Sequence, residues 1–415
     1  MTTAVSGKRS AGFVFIFVTI LLDMLALGMV MPILPKLVEQ FLGGNTADAS
    51  RVFGLFGTAW ALMQFFVSPL MGALSDRFGR RPIVLMSNFG LGLDYILMAM
   101  APSLAWLFVG RVISGMTAAS ISTSFAYIAD VTEPDRRAAA FGRMGAAFGA
   151  GFVLGPAIGG LLGGIDPRLP FWVAAGLSLA NFAYGYLVLP ESLSPDRRSR
   201  FSWARANPVG AWRLLKSNKR LSGLAIVNFL AQLAHVVLPS TFVLYAGYRY
   251  GWDAIAVGLA LAGFGVFAAI VQGGLTGPVV RMAGERAALL IGLGGGALGM
   301  IISGLATTGT IFVLAIPVMA AWGISGAAAQ GLMTRVVGPS EQGQLQGANN
   351  SVQALAQLAG PSLFTLTFAH FIGKDAPLDL VGAPFLLAAM LLVASMAIAL
   401  IVTRDQPVTP AGGTV

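Results

Sequence analysis

Three ionisable residues stand inside stretches otherwise built of apolar side chains: Asp23, Asp94 and Arg111. An ionisable group in such a setting costs several kcal/mol, so it is a functional candidate by default. Asp94 lies about eight residues before a short turn at 102–103 and Arg111 about eight after it, placing each ~12 Å deep at about 1.5 Å per residue. Asp23 lies some twelve residues from the outer end of its stretch, ~18 Å deep by the same rise. Two acids and one cation at these depths can exchange partners, and an acid that leaves the cation can carry a proton. A static buried ion pair that only holds helices together is the alternative reading for all three. A second set is polar without charge. Asn228, Gln232 and His235 follow i, i+4, i+7 and share one helical face, as do Asn350, Gln353 and Gln357. These amides either contact a substrate or bond helix to helix. His235 is read as neutral and hydrogen-bonded.

The elements that must position these groups are membrane helices. Hydrophobic residues make up 56% of the chain and charged residues 10%, with a mean hydropathy of +0.79. A soluble domain carries about 25% charge; a surface this poor in charge needs lipid around it. The 53 glycines suit closely packed membrane helices. No cysteine is present, which excludes a disulfide framework or a thiolate site. A bilayer core takes about 20 apolar residues, and twelve stretches qualify: 13–35, 52–74, 83–101, 104–127, 144–162, 171–189, 221–245, 255–275, 287–306, 311–334, 345–371 and 381–403. Phe13 begins a full-length span with no small-residue cleavage site after it, so the first stretch is read as a retained helix.

Of the 26 Lys and Arg, twenty fall on one side of these spans, five on the other (Lys36, Arg51, Arg168, Arg249, Lys374) and Arg111 inside. The positive-inside rule then puts both termini and the 190–220 linker in the cytoplasm. In the linker, Trp203, Trp212, Leu214 and Leu215 alternate with basic residues, as expected of a segment resting on an anionic leaflet. That accounts for the net charge of +9 without nucleic acid.

The halves repeat at one offset. Gly72 and Gly79 recur as Gly277 and Gly284, Gly142 as Gly347, and Gly155-Pro156 as Gly360-Pro361, each 205 residues later. Asn228 is by the same shift the mate of Asp23. A duplicated six-helix unit places substrate between the halves near mid-membrane and works by rocking one half against the other. The expected organisation is an all-α membrane protein of two pseudo-symmetric six-helix bundles, 1–189 and 221–415, joined by the 190–220 linker, with proton coupling in the first.

The loop Gly72-Ala-Leu-Ser-Asp76-Arg77-Phe-Gly79-Arg80-Arg81 resembles the loop 2–3 signature of the major facilitator superfamily. The plain reading of its arginines is that they set topology. The resemblance implies more: a cytoplasmic latch in which Asp76 meets the N-terminus of span 11 and Arg80 reaches Asp130 at the end of span 4. Span 5 carries Gly142, Gly151, Gly155, Pro156, Gly159 and Gly160, which is similar to the superfamily's antiporter signature and implies export. The glycines should give span 8 a smooth face, with Pro156 bending the helix.

Beyond the superfamily, the chain resembles the tetracycline/proton antiporters. The likeness runs through Leu22-Asp23 to Pro35, Ala61-Leu-Met-Gln64-Phe, Gly92-Leu-Asp94-Tyr95, Gly110-Arg111, Tyr127-Ile-Ala-Asp130, Leu189-Pro190-Glu191-Ser192, Trp252-Asp253-Ala254 and Gly343 to Gly347. It implies Asp23, Asp94 and Arg111 in proton coupling, and Gln64 with the two amide sets in substrate binding. It also implies multidrug efflux and antibiotic resistance at a bacterial inner membrane by a monomer powered by the proton gradient, with no cofactor and no metal. The family's span 8 histidine and span 9 aspartate fall on Ala268 and Gly296 here, which points away from charged tetracycline chelates and toward neutral or cationic apolar compounds. A metabolite symporter or facilitator of the same fold is the alternative function. An enzyme or ATP-driven pump finds no support, since no phosphate-binding loop or metal cluster is present in the sequence.

Overall fold

A computed structural model gives the architecture and describes residues 2–404 apart from 118–119, 134–135, 199–214, 216–217, 338–340, 375, 377 and 379. The linker residues Trp203, Trp212 and Leu214 lie outside the described residues. Among those described, regular structure is helical, with no strand.

Apolar runs of this length have one way to satisfy their backbone in lipid, the helix. In chain order the helices are α1 (Thr2–Val30), α2 (Leu34–Phe41), α3 (Thr46–Phe78), α4 (Arg80–Met100), α5 (Leu104–Thr117), α6 (Ser120–Val131), α7 (Arg137–Ile165) and α8 (Leu169–Val188). The second half contributes α9 (Lys219–His235), α10 (Val237–Tyr250), α11 (Ala254–Ile270), a π turn at Val271–Leu275, α12 (Thr276–Leu305), α13 (Gly309–Ala320), α14 (Gly323–Thr334), α15 (Gln342–Phe371) and α16 (Ala383–Val402). Ten segments are long and apolar enough to cross a membrane. One of them, 254–305, runs through what the sequence divides into spans 8 and 9. α15 has the length of span 11, but its amides and serines leave it too polar to count by hydropathy. With those two added, each of the twelve expected spans has a helical counterpart among the described residues.

Three of the spans are broken within the described residues: span 1 between α1 and α2, span 7 at Val236, and span 10 at Ala321–Trp322. Pro35 and Pro239 lack an N–H and so leave the carbonyls four residues back, of Met31 and His235, without a helical partner, which ends the preceding helix. The break at Val236 lies 205 residues after Met31, so the repeat extends from sequence to local structure. The loop glycines repeat in conformation as well. Gly79 has φ 106° and ψ 160°, and Gly284 has φ 80° and ψ 164°, a region essentially closed to other residues.

Packing divides the chain into two compact units: Met1–Gly44, Ala59–Asn207 and Trp252–Ala262 in the first; Asn45–Thr58, Pro208–Gly251 and Gly263–Val415 in the second. The first has a core of Phe15, Ile16, Ile20, Met24, Val84, Tyr127, Ile128 and Met144. Arg168, just before α8, ties that helix to the end of α4 by donating to the carbonyls of Ala99 (2.9 Å) and Ala101 (3.0 Å). The second is anchored by Tyr245, whose ring packs on Phe312, Phe368 and Phe385 and whose hydroxyl donates to the Ser303 carbonyl at 3.1 Å.

Candidate functional site

In the first unit, α1, α4 and α5 bring the buried charges into one neighbourhood. Asp23 is 8% exposed and Asp94 1%, with Tyr95 beside them at 4%. Asp23, Asp94 and Arg111 all lie close enough to Tyr95 to act on it electrostatically, and Arg111 acts on Asp94 in the same way. They do not form a contact ion pair: both Asp94 oxygens and Arg111 Nε are buried with no hydrogen-bond partner. Arg111 instead lies over the Trp60 ring, 5.5 Å from its centroid. A cation over an indole face gains a part of what a carboxylate would give. Gly110 makes this closeness possible, because a Cβ there would come 3.1 Å from Asp94 Oδ1 and collide with Met98. An acid so placed can be carried neutral with a proton or charged beside Arg111.

The loop between α3 and α4 builds a second cluster. Arg80 Nη1 donates to Asp76 Oδ1 (2.5 Å) and Ser75 Oγ (2.6 Å), while its Nε donates to Asp130 Oδ2 at 3.2 Å. Arg81 donates to the Tyr186 carbonyl at 2.7 Å and lies over the Tyr186 ring, and Arg77 lies 5.1 Å from the centroid of Phe78. A residue to which sequence reasoning assigned no role completes this cluster. Glu191 accepts from the backbone N–H of Arg80 (2.9 Å) and Arg81 (3.3 Å), and again from Ser192 and Leu193 (3.0 Å each). It therefore caps α4 from outside, where the first N–H groups have no helical acceptor and the dipole favours an anion. Gly79 gives it room: a Cβ there would meet the Glu191 carboxylate. Ser192 Oγ donates to Asp130 at 3.1 Å and the Tyr127 hydroxyl to the Pro190 carbonyl at 2.9 Å. A carboxylate next to the end of an apolar span was the one signal in the sequence.

The glycines of α7 serve two neighbours rather than one. Gly151, Gly155 and Gly159, spaced i, i+4, i+8, face α1, where added Cβ atoms would meet Met24, Gly28 and the Met29 backbone. Gly160 meets Ala254 and Gly258 of α11, and Gly258 also meets the Pro156 carbonyl. The expectation that span 8 covers the motif thus holds for one edge only, because residues four apart share a face and Gly160 points elsewhere. Gly72 and Gly142 have nothing within reach of an added Cβ. Gln64 is half-buried in α3.

In the second unit, Asn228, Gln232 and His235 are half-buried along α9, while on α15 Gln357 is half-buried and Asn350 and Gln353 are exposed. The preceding residue, Asn349, donates to Gln330 Oε1 at 2.7 Å. His235 stacks on Trp322, a residue the sequence did not single out, with ring centroids 4.2 Å apart and planes 14° apart. No group of metal-ligating side chains occurs among the described residues.

Helices of membrane length, a duplicated arrangement with matching breaks, and buried acids near mid-span define an all-α multi-pass membrane transporter. The profile described as Major Facilitator Superfamily matches residues 16–361. The tetracycline resistance protein of class C from Escherichia coli is 37% identical over 362 residues, 87% of this chain and 91% of that protein. The class D protein from Salmonella ordonez is 34% identical over 395 residues, 95% of this chain and 98% of that one. Among solved structures, a bacterial homologue of the human lysosomal transporter Spinster superposes with a TM-score of 0.77 at 16% identity, covering 96% of this chain and 97% of that one. The chain belongs to the Major Facilitator Superfamily and, within it, to the family of the tetracycline resistance proteins.

Proposed function

We propose that the protein exports small, largely apolar molecules from the cytoplasm in exchange for protons, at a bacterial inner membrane with both termini cytoplasmic, as a monomer and without cofactor or chemical conversion of its cargo. The names of its relatives support drug export. The observation that carries the coupling is the pair on adjacent helices, a buried Asp94 with both oxygens unbonded and a half-buried Arg111 whose buried Nε is unbonded as well. Two charges held near each other without a contact pair can be separated at small cost when one takes up a proton. A satisfied buried pair costs several kcal/mol to break.

In this reading Asp23, Asp94 and Arg111 exchange partners as the proton enters and leaves. The cluster around Arg80, Asp76 and Asp130 is the cytoplasmic latch, and the amides of α9 and α15 meet the cargo. The test is transport by the purified, reconstituted protein. Asp23→Asn abolishes uphill export driven by a proton gradient while substrate exchange at equal concentrations survives. Uphill transport by the variant near the wild-type rate refutes Asp23 as carrier. A drug-susceptibility panel in an efflux-deficient bacterial host, wild type against Asp23→Asn, then finds the cargo.

A further inference from the structure

Among the described residues of the second unit, rings gather in two places that differ in what lies at their centre. Tyr245, Phe312, Phe368 and Phe385 form a fully buried centre, with Tyr248 and Tyr250 packed on them at the rim. His235, Trp322 and Phe264 are each left half-exposed, although His235 lies 4.2 Å from the indole centroid and 6.2 Å from that of Phe264. Position distinguishes them further. His235 is the last residue of α9, and Trp322 is the last before α14, so the stacked rings stand at the breaks of two discontinuous spans. Breaks near mid-span are where transporters of this architecture form their substrate sites.

The surroundings are fitted to these rings. A Cβ at Gly296 of α12 would come 3.0 Å from Trp322 Cβ and 3.3 Å from its Cδ1, so the missing side chain is what lets the indole lie against α12. The π turn at Val271–Leu275, closed by Thr276 Oγ1 donating to the Val271 carbonyl at 2.9 Å, brings the Gln272 side chain against Gly323, next to Trp322. Such π turns occur often at functional sites. Along α9, Gln232 and Asn228 continue the same face with amides, and no Asp, Glu, Lys or Arg occurs in α9 beyond Arg220 or in α13 and α14.

We propose that the His235–Trp322 wall, flanked by Phe264 and Gln272, is a stacking site for the flat, uncharged aromatic portion of the exported molecule. The word exported rests on the function proposed above; the binding site does not. Rings supply the affinity, the amide supplies a hydrogen bond at the ring's edge, and the absence of formal charge disfavours a charged group there.

The test uses the full-length purified protein and the flat, uncharged dye Nile red, whose fluorescence reports binding. Naphthol and its saturated counterpart decahydronaphthol compete for the dye. Wild type should bind Nile red and prefer naphthol. Trp322→Ala should weaken dye binding by about tenfold, the scale of one lost aromatic contact, and should lose the preference for naphthol over decahydronaphthol, whereas Trp322→Phe keeps both. His235→Ala, which removes the other ring, carries the same expectation and decides the matter if Trp322→Ala does not purify folded. No binding by wild type, unchanged affinity in the variants, or equal loss against both competitors overturns the proposal. If wild type binds the dye with the naphthol preference but proteoliposomes show no gradient-driven efflux, the binding site stands and the export reading falls.

Discussion

Substituting Ala for Gly79 and, separately, for Gly284 separates backbone strain from the work of Glu191. Both glycines occupy the same unusual backbone region, so a Cβ costs each about 1–3 kcal/mol in strain. At Gly284 nothing else lies within reach, and strain is the whole cost. At Gly79 the new methyl displaces the Glu191 carboxylate, which then loses its bonds from the N–H groups of Arg80 and Arg81. Hydrogen bonds to a charged acceptor are each worth about 1.5–3 kcal/mol. Because Glu191 is exposed, the two together are put at the low end, about 2–3 kcal/mol. Gly79→Ala should therefore destabilise by roughly 2–3 kcal/mol more than Gly284→Ala, with strain entering both. Equilibrium unfolding of the purified variants in a denaturing detergent measures the gap. In a Glu191→Ala background there is no carboxylate to displace, and Gly79→Ala should cost what Gly284→Ala costs, a coupling read directly from the double-mutant cycle. Equal destabilisation by the two glycine variants in the wild-type background, or a gap that survives Glu191→Ala, refutes the reasoning.

Asp76→Asn and Arg80→Ala should slow turnover more than they weaken substrate binding, since both lie in the cluster at the α3–α4 loop; equal losses in binding would assign them to the site or the fold. Gly159→Ala should lower the yield of folded protein sharply because its Cβ meets the Met29 backbone, whereas Gly142→Ala, facing open space, should express as wild type; detergent-solubilised yield by size exclusion distinguishes them. Expression in an efflux-deficient host should raise the inhibitory concentration of tetracycline little, because Ala268 and Gly296 stand where the resemblance to the tetracycline/proton antiporters implies a histidine and an aspartate. A large, gradient-dependent increase would show that uncharged groups can handle the drug.

What the sequence revealed and what it hid follow from range. Apolar runs of membrane length announce helices whatever their neighbours, so the spans were legible, and so was the duplication, because paired glycines at one offset are a one-dimensional signal. The Arg80–Asp130 contact was legible through a motif with a known partner. Neighbour choice was not. The glycines of α7 read as one smooth surface, but the four-residue spacing that turns three of them to α1 leaves Gly160, one position on, turned to α11, and only the packed helices tell which neighbour takes which face. Glu191 was hidden for the same reason, since its principal partners lie about 110 residues away. Trp322 carried no periodic or charge signal at all. Its importance arises from the break beside it and the empty space at Gly296, neither of which a residue list displays.

The N-terminal half of α3 has a consequence for how the protein is made. Thr58 bonds to the Leu358 carbonyl at 3.4 Å and to the Ser362 hydroxyl at 2.8 Å, while Gly54 and Gly57 accommodate Thr365 and Pro361. The partner surface is thus about 300 residues downstream. At a synthesis rate of about 5–20 residues per second, roughly 15–60 s separate the emergence of the two surfaces. Through that interval the glycine face of α3 has its intended neighbour still unmade, and Gly160 of α7 waits similarly, for a shorter time, on Gly258 of α11. Biogenesis must therefore shield small-residue surfaces of the first half from pairing with other chains. Replacement of these glycines by larger residues would act on insertion and assembly before it acted on transport.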